Sequence, residues 1–215
     1  MKEFYAQFIS KSDVVFDIGA NVGNRLPVFS ELARRVVAVE PQPGLIQGKW
    51  HNVTVLEKAC GATDGTGNIR ISNSPSVTSM SGEWIEAIQK TGRLPGCTWG
   101  EEREVEVVTL DSLIREYGTP SFVKIDVEGY EYEVLKGLSK AIHALSFEFT
   151  PEHMDAAFYS VVRLLMIGKY EFQWDFRETF SMPRGEWMDD VGLMRDLRRF
   201  EGDNIAYLDI YARVR

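Results

Sequence analysis

A chain of 215 residues, 44% hydrophobic and 12% aromatic, suits one domain with a sizeable core and leaves little room for a second. Its formal net charge of -8 argues against a duplex-binding surface, which needs a basic excess to displace counterions; Arg195, Arg198 and Arg199 form only a short basic cluster. No apolar run approaches the roughly 18–20 residues that span a bilayer, and Cys60 and Cys97 make neither a disulfide framework nor a four-cysteine zinc site. The N-terminal MKEFYAQFISKSD carries no h-region or small-residue cleavage site, so the expectation is a cytoplasmic protein with reduced thiols.

Aromatics at residues 4–9 are spaced for a short amphipathic helix. Val14–Ile18 is an apolar run ending in a glycine-containing turn, as for a strand buried on both faces of a parallel sheet. Leu26–Leu32 follows with helical spacing, Asn24 as its cap and Pro27 in its first turn. A second buried run at 36–39 ends at Glu40-Pro41; a helix over 43–50 and a third strand at Val53–Leu56 come next. Residues 68–72 alternate as in a hairpin. Residues 72–100, rich in Ser, Thr, Gly and Pro around a helix at 82–90, read as a lid or insertion within a single domain over 1–215. Regular structure resumes with a strand at 104–110, a helix capped by Asp111 through Tyr117, a strand at 122–126 and a helix at 130–138. A strand at 142–148, a helix at 151–167, a strand at 170–174, a helical stretch at 188–200 and a last strand at 205–214 complete the chain. Strands alternating with helices predict an open α/β sheet with helices on both faces.

Such sheets bind ligands beyond the carboxyl ends of their strands. Acidic residues fall at those ends: Asp17, Glu40, the pair Asp126 and Glu128, and Glu148. Four acidic strand ends exceed what solubility requires and point to one site. The loop after the first strand, Asp17-Ile18-Gly19-Ala20-Asn21-Val22-Gly23, lacks the second glycine that lets a pyrophosphate approach a dinucleotide fold. A cofactor without phosphates suits it better. Glu40, 23 residues after Asp17, is placed to accept hydrogen bonds from both hydroxyls of a ribose.

The stretches VFDIGANVG, VVAVEPQP, VTLDSL and above all FVKIDVEGYEYEVLKGL resemble the FkbM family of S-adenosylmethionine (SAM)-dependent methyltransferases over residues 14–149. The resemblance implies the class I, Rossmann-like methyltransferase fold: a seven-stranded, mostly parallel sheet with helices on both faces and an antiparallel last strand. It also implies methyl transfer to a hydroxyl on a small-molecule acceptor, a sugar or natural-product scaffold. Carried over, Gly19, Ala20, Asn21 and Gly23 would pass beneath the methionine moiety, and Asp17 would hold the loop or the amino group. Glu40 would bind the ribose, Pro41 would flank the adenine, and Ala59 and Cys60 would approach its edge. Arg25-Leu26-Pro27 departs from the family pattern, and residues beyond Phe149 match less well.

A hydroxyl acceptor benefits from a base, or from a metal that lowers its pKa. Lys124 and Asp126, two apart on a strand, share a face. Asp126, Glu128, Glu148 and His153 are candidates to converge at the catalytic mouth, and the first, second and third of these are oxygen ligands suited to Mg²⁺ or Ca²⁺. Plainer roles compete for several residues. Asp126 and Glu128 would cap the following helix, Lys124 would need an ion-pair partner whatever else it does, and His153 would sit at a surface or cap. Cys60 would be a small hydrophobe, and Trp84, Trp99, Trp174 and Trp187 would serve packing. Two other functions use the same sheet: an NAD-dependent oxidoreductase, disfavoured by the altered loop and the lack of an evident Tyr–Lys pair, and a non-catalytic SAM-binding protein. Acceptor identity and oligomeric state stay open.

Overall fold

In the computed structural model of residues 1–215, the chain begins with one helical turn, Lys2–Tyr5 (α1), shorter than the helix expected over 4–9. The aromatic spacing there records packing rather than helix length: Tyr5 meets Phe29 and Phe122 edge-on, and Phe8 stacks on Phe122 and Tyr211. Val14–Ile18 (β1) is buried throughout, and Leu26–Leu32 (α2) follows with Pro27 in its first turn. No side chain caps α2, so Asn24 does not play the expected role. Arg35–Val39 (β2) and Val53–Leu56 (β3) come next. The helix expected over 43–50 is absent. Gly44 takes φ +70, a Cβ on Gly48 would stand 2.1 Å from the Trp50 ring, and two glycines in so short a stretch remove the drive to coil.

Ala59–Cys60 (β4), Gly65–Ser72 (β5) and Trp99–Val108 (β6) form a small sheet in the order β4-β6-β5. The segment between β5 and β6 carries the helix Gly82–Thr91 (α3), begun by Ser81, whose hydroxyl accepts from Trp84 N–H. Leu110–Tyr117 (α4) is capped by Thr109 rather than Asp111: Thr109 is the last extended residue, and its Oγ1 accepts from Ser112 N–H at 3.1 Å. Asp111 instead accepts from Ser139 N–H. The remaining elements are Phe122–Ile125 (β7), Glu131–Lys136 (α5), Ala144–Phe149 (β8), a 3₁₀ turn Pro151–His153 leading into Met154–Ile167 (α6), Tyr170–Phe176 (β9), Asp190–Leu197 (α7) and Leu208–Val214 (β10).

Seven strands join in the order β3-β2-β1-β7-β8-β10-β9, all parallel except β10, which runs antiparallel to both neighbours. This is the sheet the resemblance implied. The chain leaves β1 toward β2 on one side and returns as β7 on the other, so a crevice opens where β1 and β7 end. One face packs against α4 to α7 through residues such as Val123, Ile125, Leu135 and Leu164. The other packs against α1 and α2 through Tyr5, Phe29, Phe122 and Tyr211. Each fully buried Phe or Leu contributes roughly 1.5–3 kcal/mol relative to exposure, which fixes the strand register and therefore the residues that emerge at the strand ends. No helix is long and apolar enough to cross a membrane.

Candidate active site

A cleft of about 240 Å³ lies over the carboxyl ends of β1, β2, β7 and β8. Its first wall is largely backbone. Gly19 takes φ +77, and its N–H and that of Ala20 both donate to Val39 O, at 2.8 and 3.1 Å. A Cβ on Gly19 would stand 1.7 Å from Asp126 O, so the loops after β1 and β7 touch backbone to backbone and only glycine fits. Asn21 adopts φ +51, the left-handed conformation its side chain tolerates. Glu40, at the tip of β2 and only 5% exposed, accepts Asn21 N–H on Oε2 and Gln42 N–H on Oε1, each at 2.9 Å. Burial raises its pKa, and those N–H groups oppose the rise. Asp17, buried beside them, is pushed up to about 6 by desolvation, against the pull of Arg25 and Lys124. Pro41, Ala59 and Cys60 continue this wall, and burial raises the Cys60 thiol far above its usual range. Gly23 does not line the cleft. Its N–H donates to Ala20 O and its carbonyl accepts from Leu26 N–H, closing the turn into α2.

The second wall is charged. Carboxylate oxygens of Asp126, Glu128 and Glu148 lie within 4.8 Å of one another. Below them, on the α1–α2 face of the sheet, Lys124 is 1% exposed and reaches Asp209 Oδ1 at 2.7 Å and Asp126 Oδ2 at 3.2 Å. Burial works against the Lys124 charge, but Asp126 and Asp209 raise its pKa and keep it a cation. Burial also works against the Asp126 charge, yet Lys124 and Arg25 hold its carboxyl below the usual range. For Glu128 and Glu148, desolvation, then repulsion from neighbouring carboxylates, outweighs the opposing pull of Lys124 and raises both well above normal.

No side chain caps α5, so Asp126 and Glu128 do not play the helix-capping role expected as an alternative; Glu131, the first residue of α5, instead reaches back to the loop after β7. Its Oε1 accepts from Val127 and Gly129 N–H at 3.2 Å each, and burial pushes its pKa up to about 7. Glu128 itself takes φ +55, and Gly129 follows at φ +86 with the Trp84 side chain where a Cβ would be, 2.3 Å away. His153 does not converge with the acids at the main cleft. It ends a 3₁₀ turn and lines a second, small cavity shared with Glu148, Glu131 and Ser160; its Nε2 is 3.9 Å from Glu83, and burial lowers its pKa.

Several lining residues escaped the sequence reading. Arg25 ion-pairs with Glu178, donates from Nε to Tyr5 Oη at 3.3 Å, and lines the cleft with Glu178, Gln42 and Tyr207. The Arg25-Leu26-Pro27 departure was a usable signal; Glu178, in a positive-φ turn after β9, offered none. The segment between β5 and β6 reaches the site through Ser79, whose hydroxyl donates to Glu128 O at 2.6 Å. Trp84, Trp99, Trp174 and Trp187 all lie outside the lining, as packing residues. Trp84 Nε1, for example, donates to Thr150 Oγ1 at 3.1 Å.

The family model described as the methyltransferase FkbM domain matches residues 17–178. The chain belongs to the FkbM methyltransferase family. The match takes in both walls of the cleft and runs past Phe149 to Glu178, further than the sequence motifs alone reached. Among similar proteins, hexuronic acid methyltransferase AglP of Haloferax volcanii is 27% identical over 166 residues, 74% of this chain and 64% of that protein. The 31-O-demethyl-FK506 methyltransferase FkbM of Streptomyces tacrolimicus is 32% identical over 158 residues, 60% of each. The chain therefore spans under two thirds of the length of these curated relatives. The crystal structure of a precorrin-6y C5,15-methyltransferase from Geobacter metallireducens GS-15 superposes with a TM-score of 0.51 at 14% identity, covering 99% of this chain and 84% of that one; at that identity it speaks to the fold alone.

Proposed function

We propose that the chain is a SAM-dependent methyltransferase acting on a hydroxyl oxygen of a small molecule, most naturally a saccharide or a natural-product scaffold. One observation carries the reading: a single cleft joins the Asp17–Glu40 wall of an FkbM-family fold to a cluster of three carboxylates. The two relatives, named for a hexuronic acid and for FK506, support the acceptor class.

The first wall fits SAM on features of its own. Asp17 is buried with no hydrogen-bond donor of the chain on its carboxylate, which leaves it for the cofactor's ammonium group. Asn21 Oδ1 is likewise buried without a partner. Glu40 Oε2 accepts only Asn21 N–H and keeps a lone pair for a ribose hydroxyl, while Oε1 is held by the Gln42 N–H and side-chain amide. Gly19, Ala20 and Asn21 would pass beneath the methionine, with Pro41, Ala59 and Cys60 near the adenine; Gly23 would act only through the turn. SAM supplies, when bound, a methyl group on a sulfonium. The protein's part is to orient the acceptor and take its proton. Asp126, held ionised by Lys124 and Arg25, raises the proton affinity of Glu128 and Glu148, and that pair accepts the hydroxyl proton as general base. Lys124 is a positioning residue, and His153 takes no part.

A second reading of the same carboxylates is a hard divalent cation such as Mg²⁺ or Ca²⁺ on Asp126, Glu128 and Glu148, favoured by oxygens that all lie within 4.8 Å of one another. Activity that survives exhaustive chelation removes it. Free Cys60 and Cys97 suit a reducing compartment such as the cytoplasm. Calorimetric titration with SAM, S-adenosylhomocysteine and NAD tests the main reading: the sulfur nucleosides bind and NAD does not. Binding of NAD alone points to an oxidoreductase. Nucleoside binding without a methylated product across a saccharide panel read by mass points to a non-catalytic role.

A further inference from the structure

Helix α6 turns Ala157, Ser160, Val161 and Leu164 into the core. On its outer side it leaves Phe158 48%, Tyr159 49%, Val162 38%, Leu165 38% and Met166 74% exposed. Arg163, the one cation within the helix, is turned away to donate to Leu135, Lys136 and Leu138 carbonyls at the end of α5. The stripe is bounded by exposed charges of opposite sign, Asp155 at the helix start and Lys169 just past its Gly168 cap.

The order of these residues is symmetric about Val162. Tyr159 and Leu165 lie three residues on either side of it, Phe158 and Met166 four, and Asp155 and Lys169 seven. Offsets of three, four and seven return to one helix face. Two copies of the helix packed antiparallel about a two-fold axis through Val162 therefore set Val162 on its own copy. Aromatic meets aliphatic on both sides, and each Asp155 meets the other copy's Lys169. We propose that α6 is the interface of a homodimer built on this two-fold, an isologous contact in which one patch serves both subunits.

The five apolar side chains expose on the order of 400–500 Å² per copy, over half of the ~800 Å² per partner in a standard interface and large for a patch on a monomer. Tyr132, 5.5 Å from the Tyr159 ring, extends the patch onto α5. A shallow helix crossing of about 20° keeps contact along the ~20 Å of α6. A membrane surface is the poorer occupant: surface-binding helices flank the apolar stripe with Lys and Arg, whereas this chain has a net charge of -8 and an acid at one end of the stripe.

Sedimentation velocity of the full chain at micromolar concentration tests it. The unaltered protein runs at twice its 24.5 kDa mass. Val162→Arg, which sets like charges face to face on the axis, runs as a monomer with the parent's circular dichroism spectrum. Asp155→Lys and Lys169→Glu each weaken the dimer about three- to tenfold, and the two together restore it. A monomeric parent overturns the proposal, and binding of that monomer to anionic vesicles would name the membrane instead. A dimer indifferent to Val162→Arg, or single charge changes that the double change does not rescue, equally overturns this two-fold.

Discussion

On the β1–β2 side of the cleft the chain presents fixed backbone: N–H groups clamped on Val39 O, a glycine against the Asp126 carbonyl, and one carboxylate, Glu40, held by two amides. On the β7–β8 side it presents charge, with three half-buried carboxylates above a buried lysine. The first wall is rigid because its geometry is covalent and hydrogen-bonded. The second is reactive because its members compete for protons. The proposed function, holding a cofactor and deprotonating an acceptor, would need both, and Gly19 against Asp126 O is where the two walls meet.

Breaking that contact gives the largest expected effect. Gly19→Ala forces a Cβ into Asp126 O at positive φ, and a loss of roughly 3–5 kcal/mol in thermal unfolding is expected, with nucleoside binding abolished. A variant as stable as the parent would mean that the walls are independent. Glu128→Gln and Glu148→Gln test the charged wall alone: turnover falls roughly 10²–10⁴-fold while S-adenosylhomocysteine affinity stays within about threefold. Loss of binding in proportion to turnover would move these residues to the first wall.

Glu131→Gln addresses the cost of gathering acids here. Burial raises the Glu131 pKa from the usual 4.5 to about 7. Below pH 4.5 folded and unfolded chains both hold the proton, and its contribution to stability is complete. As pH climbs to about 7 the unfolded chain releases it first, so the folded state loses stability across that window, by on the order of 2–3 kcal/mol. Glutamine keeps an oxygen for Val127 and Gly129 N–H and does not ionise; unfolding curves from pH 4 to 8 should flatten relative to the parent. An unchanged pH profile would relocate the titration to another group. The smallest effect is expected of His153→Asn, under about threefold in turnover, since the ring lies outside the main cleft's lining. A large loss would bring His153 back into the chemistry.

The first wall was legible because it is local: seven consecutive residues and one acid at the next strand tip carry it. The acids of the second wall were legible as strand ends, since burial fixes where each strand emerges. Its cations were less so. Lys124 showed as a charge inside an apolar strand, but its partner Asp209 lies 85 residues away on a strand the motifs did not reach. Arg25 and Glu178 meet across 153 residues, a pairing that no local pattern encodes. His153 lies outside the main cleft's lining, at the end of a 3₁₀ turn, Pro151–His153, where the sequence suggested the first turn of an α-helix. At 43–50, glycine at two positions outweighed the apolar spacing of Leu45, Ile46 and Trp50.

The division of labour between the walls is tested most directly by calorimetry of S-adenosylhomocysteine against the parent, Glu40→Ala and Glu148→Gln. Loss of a buried carboxylate that accepts charge-assisted hydrogen bonds weakens binding by about 10- to 100-fold in Glu40→Ala, with the fold intact by circular dichroism. Glu148→Gln binds as the parent does. No binding by the parent, or equal affinity in all three proteins, would contradict the account.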